Sequence, residues 1–188
     1  MTPAHVPADA PAWVLEALGA GQPVVVRRAI AQPGLVAVGV RGRLREQRFA
    51  AQMPLALVRR RVTPQALREV TSPRDLPALQ ALAQLRPLLA QKDWGVSGSA
   101  GFELATGIEA LHDASDLDLI LHTPEPLERR DAGDLLAILD TAVCAVDLQL
   151  QTPFGAVALR EWAGSSRRVL LKTASGAHLV IDPWQALI

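Results

Sequence analysis

The sequence predicts an α+β protein with two units, a small N-terminal α/β unit and a larger unit built around a mixed sheet. Runs of β-branched residues bounded by turn residues predict strands. Leucines at helical spacing across residues 78–91 predict a helix, and short apolar segments then alternate with helical patterns, as in a mixed sheet covered by helices. Two prolines within residues 71–77 mark the expected boundary. The predicted domains are therefore 1–76 and 77–188.

The first unit is predicted to open with a short helix and to continue as strands. Gly19 and Gly21 should end the helix, and Thr63 followed by Pro64 is typical of a helix start. A turn is expected at Arg41-Gly42. The predicted elements are a helix over 12–18, strands over 23–28 and 35–40, a possible strand continuing from 45–49, and a helix over 65–70.

The second unit is predicted to contain most of the sheet. After the helix over 78–91, a glycine-rich turn is expected at 95–101. The remaining elements are predicted as a strand over 117–121, a helix over 132–141, a strand over 146–150, and further strands near 155–160, 168–172 and 178–181.

The composition excludes several classes of protein. Hydrophobic residues make up 49% and charged residues 20%, which is typical of a globular chain. Neither a membrane span nor a signal peptide is apparent, and the single cysteine, Cys144, cannot form an internal disulfide. Acidic and basic residues balance at 19 each, so no net field attracts nucleic acid or an anionic membrane. We expect a cytoplasmic protein that binds neither nucleic acid nor membrane.

A glycine-rich segment around Gly98 and Ser99 is a candidate phosphate site. Small residues allow backbone N–H groups to approach a phosphate, and the helix-like segment that follows would favour negative charge at its start. The lysine of a Walker loop and the spacing of a dinucleotide fingerprint are both absent. By itself the segment is better explained as an ordinary turn, because glycine-rich turns are common.

Three aspartates are candidate metal ligands and catalytic residues. Alternate side chains of a strand share a face, so Asp116 and Asp118 should stand together while Leu117 and Leu119 face the core. Adjacent carboxylates repel unless a cation lies between them, and oxygen ligands favour Mg²⁺ or Mn²⁺. Asp147 interrupts a later apolar strand. Each acid alone is explained as a solvated strand residue, but together the three match two-metal phosphoryl transfer.

The order Gly-Ser, Asp-x-Asp and Asp resembles nucleotidyltransferases of the polymerase-β type. More detailed strings are Pro23-Val-Val-Val-Arg-Arg, Val38-Gly-Val-Arg-Gly, Gly98-Ser-Ala-Gly-Phe-Glu-Leu-Ala-Thr-Gly, Ser115-Asp-Leu-Asp-Leu, Arg160-Glu-Trp and Asp182-Pro-Trp. Through these strings the chain, from about residue 12 to the C-terminus, resembles the phosphoribosyl-dephospho-CoA transferase of malonate decarboxylase, its holo-acyl-carrier-protein synthase.

This resemblance implies a specific reaction. A serine of the apo acyl-carrier protein would attack the α-phosphorus of 2′-(5″-triphosphoribosyl)-3′-dephospho-CoA and release pyrophosphate. Asp116 and Asp118 would be metal ligands in a polymerase-β-type domain. Asp147 would be the third carboxylate and could accept the serine proton.

Further expectations concern the donor and the carrier protein. Lys172, one of two lysines, is a candidate contact for the donor triphosphate, and the arginine groups at 27–28, 41–48 and 59–61 are candidates for docking an acidic carrier. Two alternatives stay open: an ATP-dependent adenylyltransferase, and a non-catalytic nucleotide-binding module of the same fold.

Overall fold

A computed structural model describes residues 1–44 and 46–186. The chain divides into two compact units, Met1–Arg61 and Val62–Ile188. No helix among the described residues is long and apolar enough to cross a membrane. Helices, an antiparallel sheet and a mixed sheet are present, which confirms the α+β class.

The first unit packs one helix against a small antiparallel sheet. Its elements are α1 (Ala12–Gly19), β1 (Val25–Val26), β2 (Leu35–Arg41) and β3 (Arg48–Pro54), with the sheet order β1-β2-β3. Val14 and Leu18 of α1 are buried with Val40 of β2. The strand predicted over 23–28 shrinks to the two exposed valines of β1. The strand expected to continue from 45–49 begins at Arg48, and Arg45 lies outside the described residues.

Residues 62–76 belong to the second unit, which differs from the boundary predicted at 76/77. The helix expected over 65–70 is a short 3₁₀ helix, Pro64–Leu67, whose first turn is capped by the Thr63 hydroxyl accepting from the Ala66 N–H. Leu67 is buried in the core of the second unit. This apolar anchor, rather than the prolines further along, fixes where the second unit begins.

The second unit contains a six-stranded mixed sheet in the described part of the chain. The strand order is β4-β5-β6-β7-β8-β9; β5 and β6 are parallel, and the other neighbours pair antiparallel. Its elements are α2 (Pro77–Leu89), β4 (Trp94–Val96), α3 (Gly98–Thr106), β5 (Leu117–His122), α4 (Arg129–Leu139), β6 (Val146–Thr152), β7 (Gly155–Ala158), α5 (Leu159–Ala163), β8 (Val169–Lys172) and β9 (Ala177–Val180).

Alternation along the two parallel strands separates the core from the candidate site. Leu117 and Leu119 of β5 and Val146 and Leu148 of β6 are buried in one cluster with leucines of α2 and α4. The intervening residues, which include Asp118 and Asp147, therefore lie on the opposite face of the sheet.

The predicted glycine-rich turn at 95–101 is wrong, because the segment is a strand followed directly by a helix. A side chain on Gly95 would meet the Pro64 carbonyl carbon at 2.4 Å, and one on Gly101 would meet the Val96 carbonyl oxygen at 2.8 Å. These glycines permit close packing between elements, so their presence does not mark a turn. Similarly, the strand predicted near 155–160 ends at Ala158, because Leu159 and Trp162 are buried as part of α5.

Candidate active site

Three carboxylates meet at the N-terminal ends of the neighbouring strands β5 and β6 in the second unit. Asp118 on β5 pairs directly with Asp147 on β6, and Asp116 lies just before β5. Each offers a carboxylate oxygen, and these three oxygens lie within 4.8 Å of one another. Asp116 and Asp118 are half-buried and Asp147 is exposed. The cluster therefore lies on the surface of the sheet and is accessible to a ligand from solvent.

The connection between β4 and α3 is held against Asp118. Gly98 has a left-handed backbone, with φ of 60°, and an added side chain there would lie 1.8 Å from the Asp118 carboxylate oxygen. The Ser97 N–H donates to the Asp118 carbonyl oxygen at 2.9 Å. Glycine at position 98 is thus required both by the backbone conformation and by the neighbouring carboxylate.

Helix α3 begins at this connection and directs its positive end toward the acids. The helix spans nine residues, with Ser97 as its N-cap and half-buried Ser99 in its first turn. The N-terminus of a helix favours negatively charged groups. Gly98 and Ser99, predicted as substrate-binding residues, therefore adjoin the carboxylates, where a phosphate could bind both a cation and the helix.

The three carboxylates have the chemistry of a divalent cation site. Carboxylate oxygens are hard ligands suited to Mg²⁺ or Mn²⁺, and negative charges this close repel unless a cation lies between them. The residues present therefore fit one or two such ions, held by Asp116, Asp118 and Asp147.

Two further side chains lie within electrostatic reach of the acids. Burial raises the pKa of the Cys144 thiol, and the charge of Asp116 raises it further. The pKa of Arg160 is raised by its hydrogen bond to Asp140 and by the charge of Asp140, with a smaller contribution from the charge of Asp147. The charges of the cluster therefore act on a thiol and on a guanidinium.

Comparison with known proteins assigns the chain to a family. The profile of the phosphoribosyl-dephospho-CoA transferase MdcG C-terminal domain matches residues 66–183, and that of the corresponding N-terminal domain matches residues 1–64. The chain belongs to the phosphoribosyl-dephospho-CoA transferase family. All three aspartates lie within the C-terminal match.

Several relatives share nearly the whole chain and carry the name phosphoribosyl-dephospho-CoA transferase. The protein from Pseudomonas fluorescens (strain Pf0-1) is 62% identical over 186 residues, covering 98% of this chain and 90% of the relative. Those from Pseudomonas aeruginosa and Azotobacter vinelandii are 57% and 54% identical, each over 98% of this chain and over 90% and 91% of the relative, respectively. No solved structure matches the chain.

Lys172, predicted to contact the donor, is not brought to the acids in this family member. Lys172 pairs with Ala156, and Ala156 pairs with Gln151, which follows Asp147 by four positions on β6. From strand dimensions, Lys172 lies about 13 Å along the strands and about 10 Å across them from Asp147. It shares their face of the sheet, but only a distant part of a long substrate could reach it.

Sequence reasoning missed the surroundings of Arg160, although the residue lies in one of the strings that carry the family resemblance. Its guanidinium donates to the Asp140 carboxylate, which lies 20 positions earlier at the C-terminal end of α4. The sequence alone does not reveal a pair between two separate helices.

Proposed function

We propose that this chain transfers the phosphoribosyl-dephospho-CoA group from 2′-(5″-triphosphoribosyl)-3′-dephospho-CoA to a serine of the apo acyl-carrier protein of malonate decarboxylase. Membership of the phosphoribosyl-dephospho-CoA transferase family supports the group transferred. The three carboxylates within 4.8 Å of one another are the observation that carries the proposed chemistry.

In this proposal the three acids divide the work of phosphoryl transfer. Asp116 and Asp118 would hold the divalent cations, with Asp147 as a third ligand and as a candidate acceptor of the serine proton. Bound Mg²⁺ or Mn²⁺ would supply charge neutralisation for the triphosphate and the leaving pyrophosphate. The N-terminus of α3 favours the same negative charge.

The reaction then consists of one bond exchange at the α-phosphorus. The serine oxygen forms a bond to this phosphorus, and the bond from phosphorus to the pyrophosphate oxygen breaks. The serine proton passes to a base, and the bonding electrons leave with pyrophosphate. The product is a carrier protein joined to its prosthetic group through a phosphodiester.

Mass spectrometry of the carrier protein tests the proposal directly. Apo carrier protein is incubated with the enzyme, Mg²⁺ and either the triphosphoribosyl donor or ATP, and is then weighed. We expect addition of the phosphoribosyl-dephospho-CoA mass with the donor only, loss of the reaction with a chelator, and its return with Mg²⁺ or Mn²⁺. Addition of AMP would establish the adenylyltransferase alternative. An unmodified carrier in every incubation would favour the non-catalytic module.

A further inference from the structure

The face of the sheet that carries the acids continues well beyond them. Side chains alternate along a strand, and residues paired across neighbouring strands lie on the same face. Asp118 and Asp147 form one such pair, which we call the acid row. Four positions further along β5 and β6, on the same face, His122 pairs with Gln151. A ligand bound at the acid row could therefore extend along this face.

The row that begins with His122 crosses the sheet as far as its outer strand. Gln151 pairs with Ala156, Ala156 with Lys172, and Lys172 with Ala177. We call these five residues the far row. Because every step is a pair of neighbouring strands, Lys172 lies on the same face as the acids.

A middle row separates the acid row from the far row, and it is largely apolar. Each of its members is two positions from a residue of the far row: Ile120, Gln149, Ala158, Leu170 and Leu179. The first four are half-buried, and Leu179 is 65% exposed. The middle row is therefore a partly open surface on which a sugar or a flat ring could lie.

Lys172 is a cation of the far row that has no acidic partner among the described residues. The His122 Nδ1 lies 3.2 Å from the Asp93 Oδ2, and its Nε2 lies 2.9 Å from the Gln65 Nε2. Lys172 is exposed and takes part in none of the ion pairs of the described chain. A lysine ammonium is a flexible point charge that suits phosphate oxygens. Lys172 is therefore available to an anion.

The donor of the proposed reaction carries anionic groups at two separate points. Its triphosphate is attached to one ribose, and a diphosphate joins the adenosine of dephospho-CoA to the pantetheine arm. About twelve covalent bonds separate the α-phosphorus from the nearer phosphorus of this diphosphate, a span of about 14 Å when extended. From strand dimensions, the Cα atoms of Asp147 and Lys172 are about 16 Å apart. The two spacings match, since the lysine side chain can reach toward the ligand.

We propose that this face binds the dephospho-CoA part of the donor, with Lys172 contacting its diphosphate and the middle row lying beneath the adenosine and the linking ribose. This inference rests on the proposed function. Lys172 then recognises the donor and takes no part in the bond exchange at the α-phosphorus. ATP has no second anionic group at this spacing, so Lys172 favours the donor over ATP.

Titration with dephospho-CoA tests the inference without the donor, the carrier protein or a metal. Calorimetry on the full chain, with a chelator present, compares wild type with Lys172→Ala, Lys172→Arg and Lys92→Ala. Lys172→Ala should weaken binding about fivefold or more, because it loses a charge-assisted contact, and Lys172→Arg should bind nearly as well as wild type. Lys92→Ala is the matched control, because Lys92 is exposed beside β4, four strands away from β8.

The salt dependence of binding distinguishes a phosphate contact from a structural role of Lys172. Salt screens exposed charges, so the dissociation constant of wild type should rise with salt, and it should rise less steeply for Lys172→Ala. Equal affinity of wild type and Lys172→Ala, or equal salt dependence of the two, would overturn the inference. Weakening by Lys172→Arg as large as that by Lys172→Ala, or no binding of dephospho-CoA by wild type, would overturn it as well.

Steady-state transfer to the carrier protein distinguishes failure of the inference from failure of the proposed function. With a functional wild type, Lys172→Ala should raise the KM for the donor and change kcat much less, because the contact is made equally before and during the reaction. Transfer with an unchanged KM for the donor refutes the role of Lys172 and leaves the function standing. Absence of transfer by wild type refutes the function, and the dephospho-CoA titration still decides whether Lys172 binds the diphosphate.

Discussion

At the scale of single residues, substitution of Gly98 gives the first prediction. It distinguishes the effect of backbone strain on stability from the effect of a displaced Asp118 on turnover. Any side chain at position 98 would overlap the Asp118 carboxylate. Gly98→Ala should therefore displace Asp118 and lower turnover by about 100-fold or more, since it disrupts groups that stabilise the transition state. Turnover and thermal unfolding of the variant are the measurements.

Gly107 provides a matched control for this substitution. Its backbone is also left-handed, with φ of 73°, but apart from its two chain neighbours no described residue lies within 4 Å of an added Cβ. Gly107→Ala should cost about 1–2 kcal/mol of stability and leave turnover intact. If Gly98→Ala and Gly107→Ala affect turnover equally, the contact with Asp118 is not the cause.

The aspartates themselves give the second prediction. Asp116→Asn and Asp118→Asn should each lower turnover by at least ~100-fold, because each removes a charge proposed to hold the catalytic cations. Both variants should fold, since a neutral amide relieves repulsion in the metal-free cluster. Asp113→Asn, at an exposed position upstream of the same strand, should be active. Near-normal rates for either site variant would contradict the metal-ligand assignment.

At the scale of elements, a buried carboxylate fixes the loop between α3 and β5. Glu103 accepts hydrogen bonds from the Ala110 and Leu111 N–H groups at 2.7 and 2.9 Å, and the Arg74 Nη1 lies 2.8 Å from both of its oxygens. Glu103 is only 5% exposed. This loop leads to Asp116, so Glu103 and Arg74 hold the segment that delivers the acid to the cluster.

Removing this charge gives the third prediction. Glu103→Gln should destabilise the protein by roughly 3 kcal/mol, because it leaves Arg74 without the charge of its buried partner. Glu109→Gln is the matched control: Glu109 lies 4.0 Å from Arg74 but its side chain is 79% exposed, so its loss should change stability little. Chemical denaturation measures both. Similar losses for the two variants would show that burial of Glu103 does not matter.

The same carboxylate predicts a dependence of stability on pH. Burial alone would raise the pKa of Glu103, but the hydrogen bonds from Ala110 and Leu111 and the Arg74 guanidinium outweigh it, so the pKa is lowered. A lowered pKa means that the unfolded chain binds the proton more tightly. The stabilisation is fully present above the ordinary glutamate pKa and is lost as pH falls through the folded value. Glu103→Gln should remove this part of the acid sensitivity.

The sequence predicted elements well where burial follows a simple period. Alternating apolar residues revealed β5 and β6, and the spacing of Asp116 and Asp118 predicted that both carboxylates lie together on one face of the strand. The sequence-based prediction failed around Gly95 and Gly101, because these glycines permit close contacts with Pro64 and with Val96. A local pattern does not show such contacts between elements. The ion pair of Arg160 with Asp140 escaped notice for a related reason: it joins residues 20 positions apart on two different helices.

At the scale of the whole molecule, exposed arginines of the first unit give the fourth prediction. Arg43 and Arg60 are exposed, and we propose that they attract an acidic carrier protein. Arg43→Glu or Arg60→Glu should raise the KM for carrier and leave kcat at saturation largely intact. Salt should weaken wild-type association, because exposed charges are screened beyond about 8 Å at physiological ionic strength.

A salt series of carrier KM values distinguishes docking from ordinary solvation. Arg130→Glu is the control variant, because it makes the same charge change on helix α4 of the second unit. A flat salt response together with equal KM values for wild type and the first-unit variants would remove the docking role. The metal site would be unaffected by that result.

The parallel pairing of β5 and β6 has a consequence for how the protein opens. Asp118 and Asp147 face each other across this pair, yet α4 lies between them along the chain. A divalent ion held by both would act as a removable cross-link that closes the segment from β5 through α4 to β6. Because an ion that binds only the native arrangement stabilises it by mass action, Mg²⁺ should slow amide hydrogen exchange in these three elements. Exchange in the first unit is the internal reference. Asp147→Asn should abolish the effect of Mg²⁺ on exchange, so that binding of the ion can be measured as a local change in the opening of these elements.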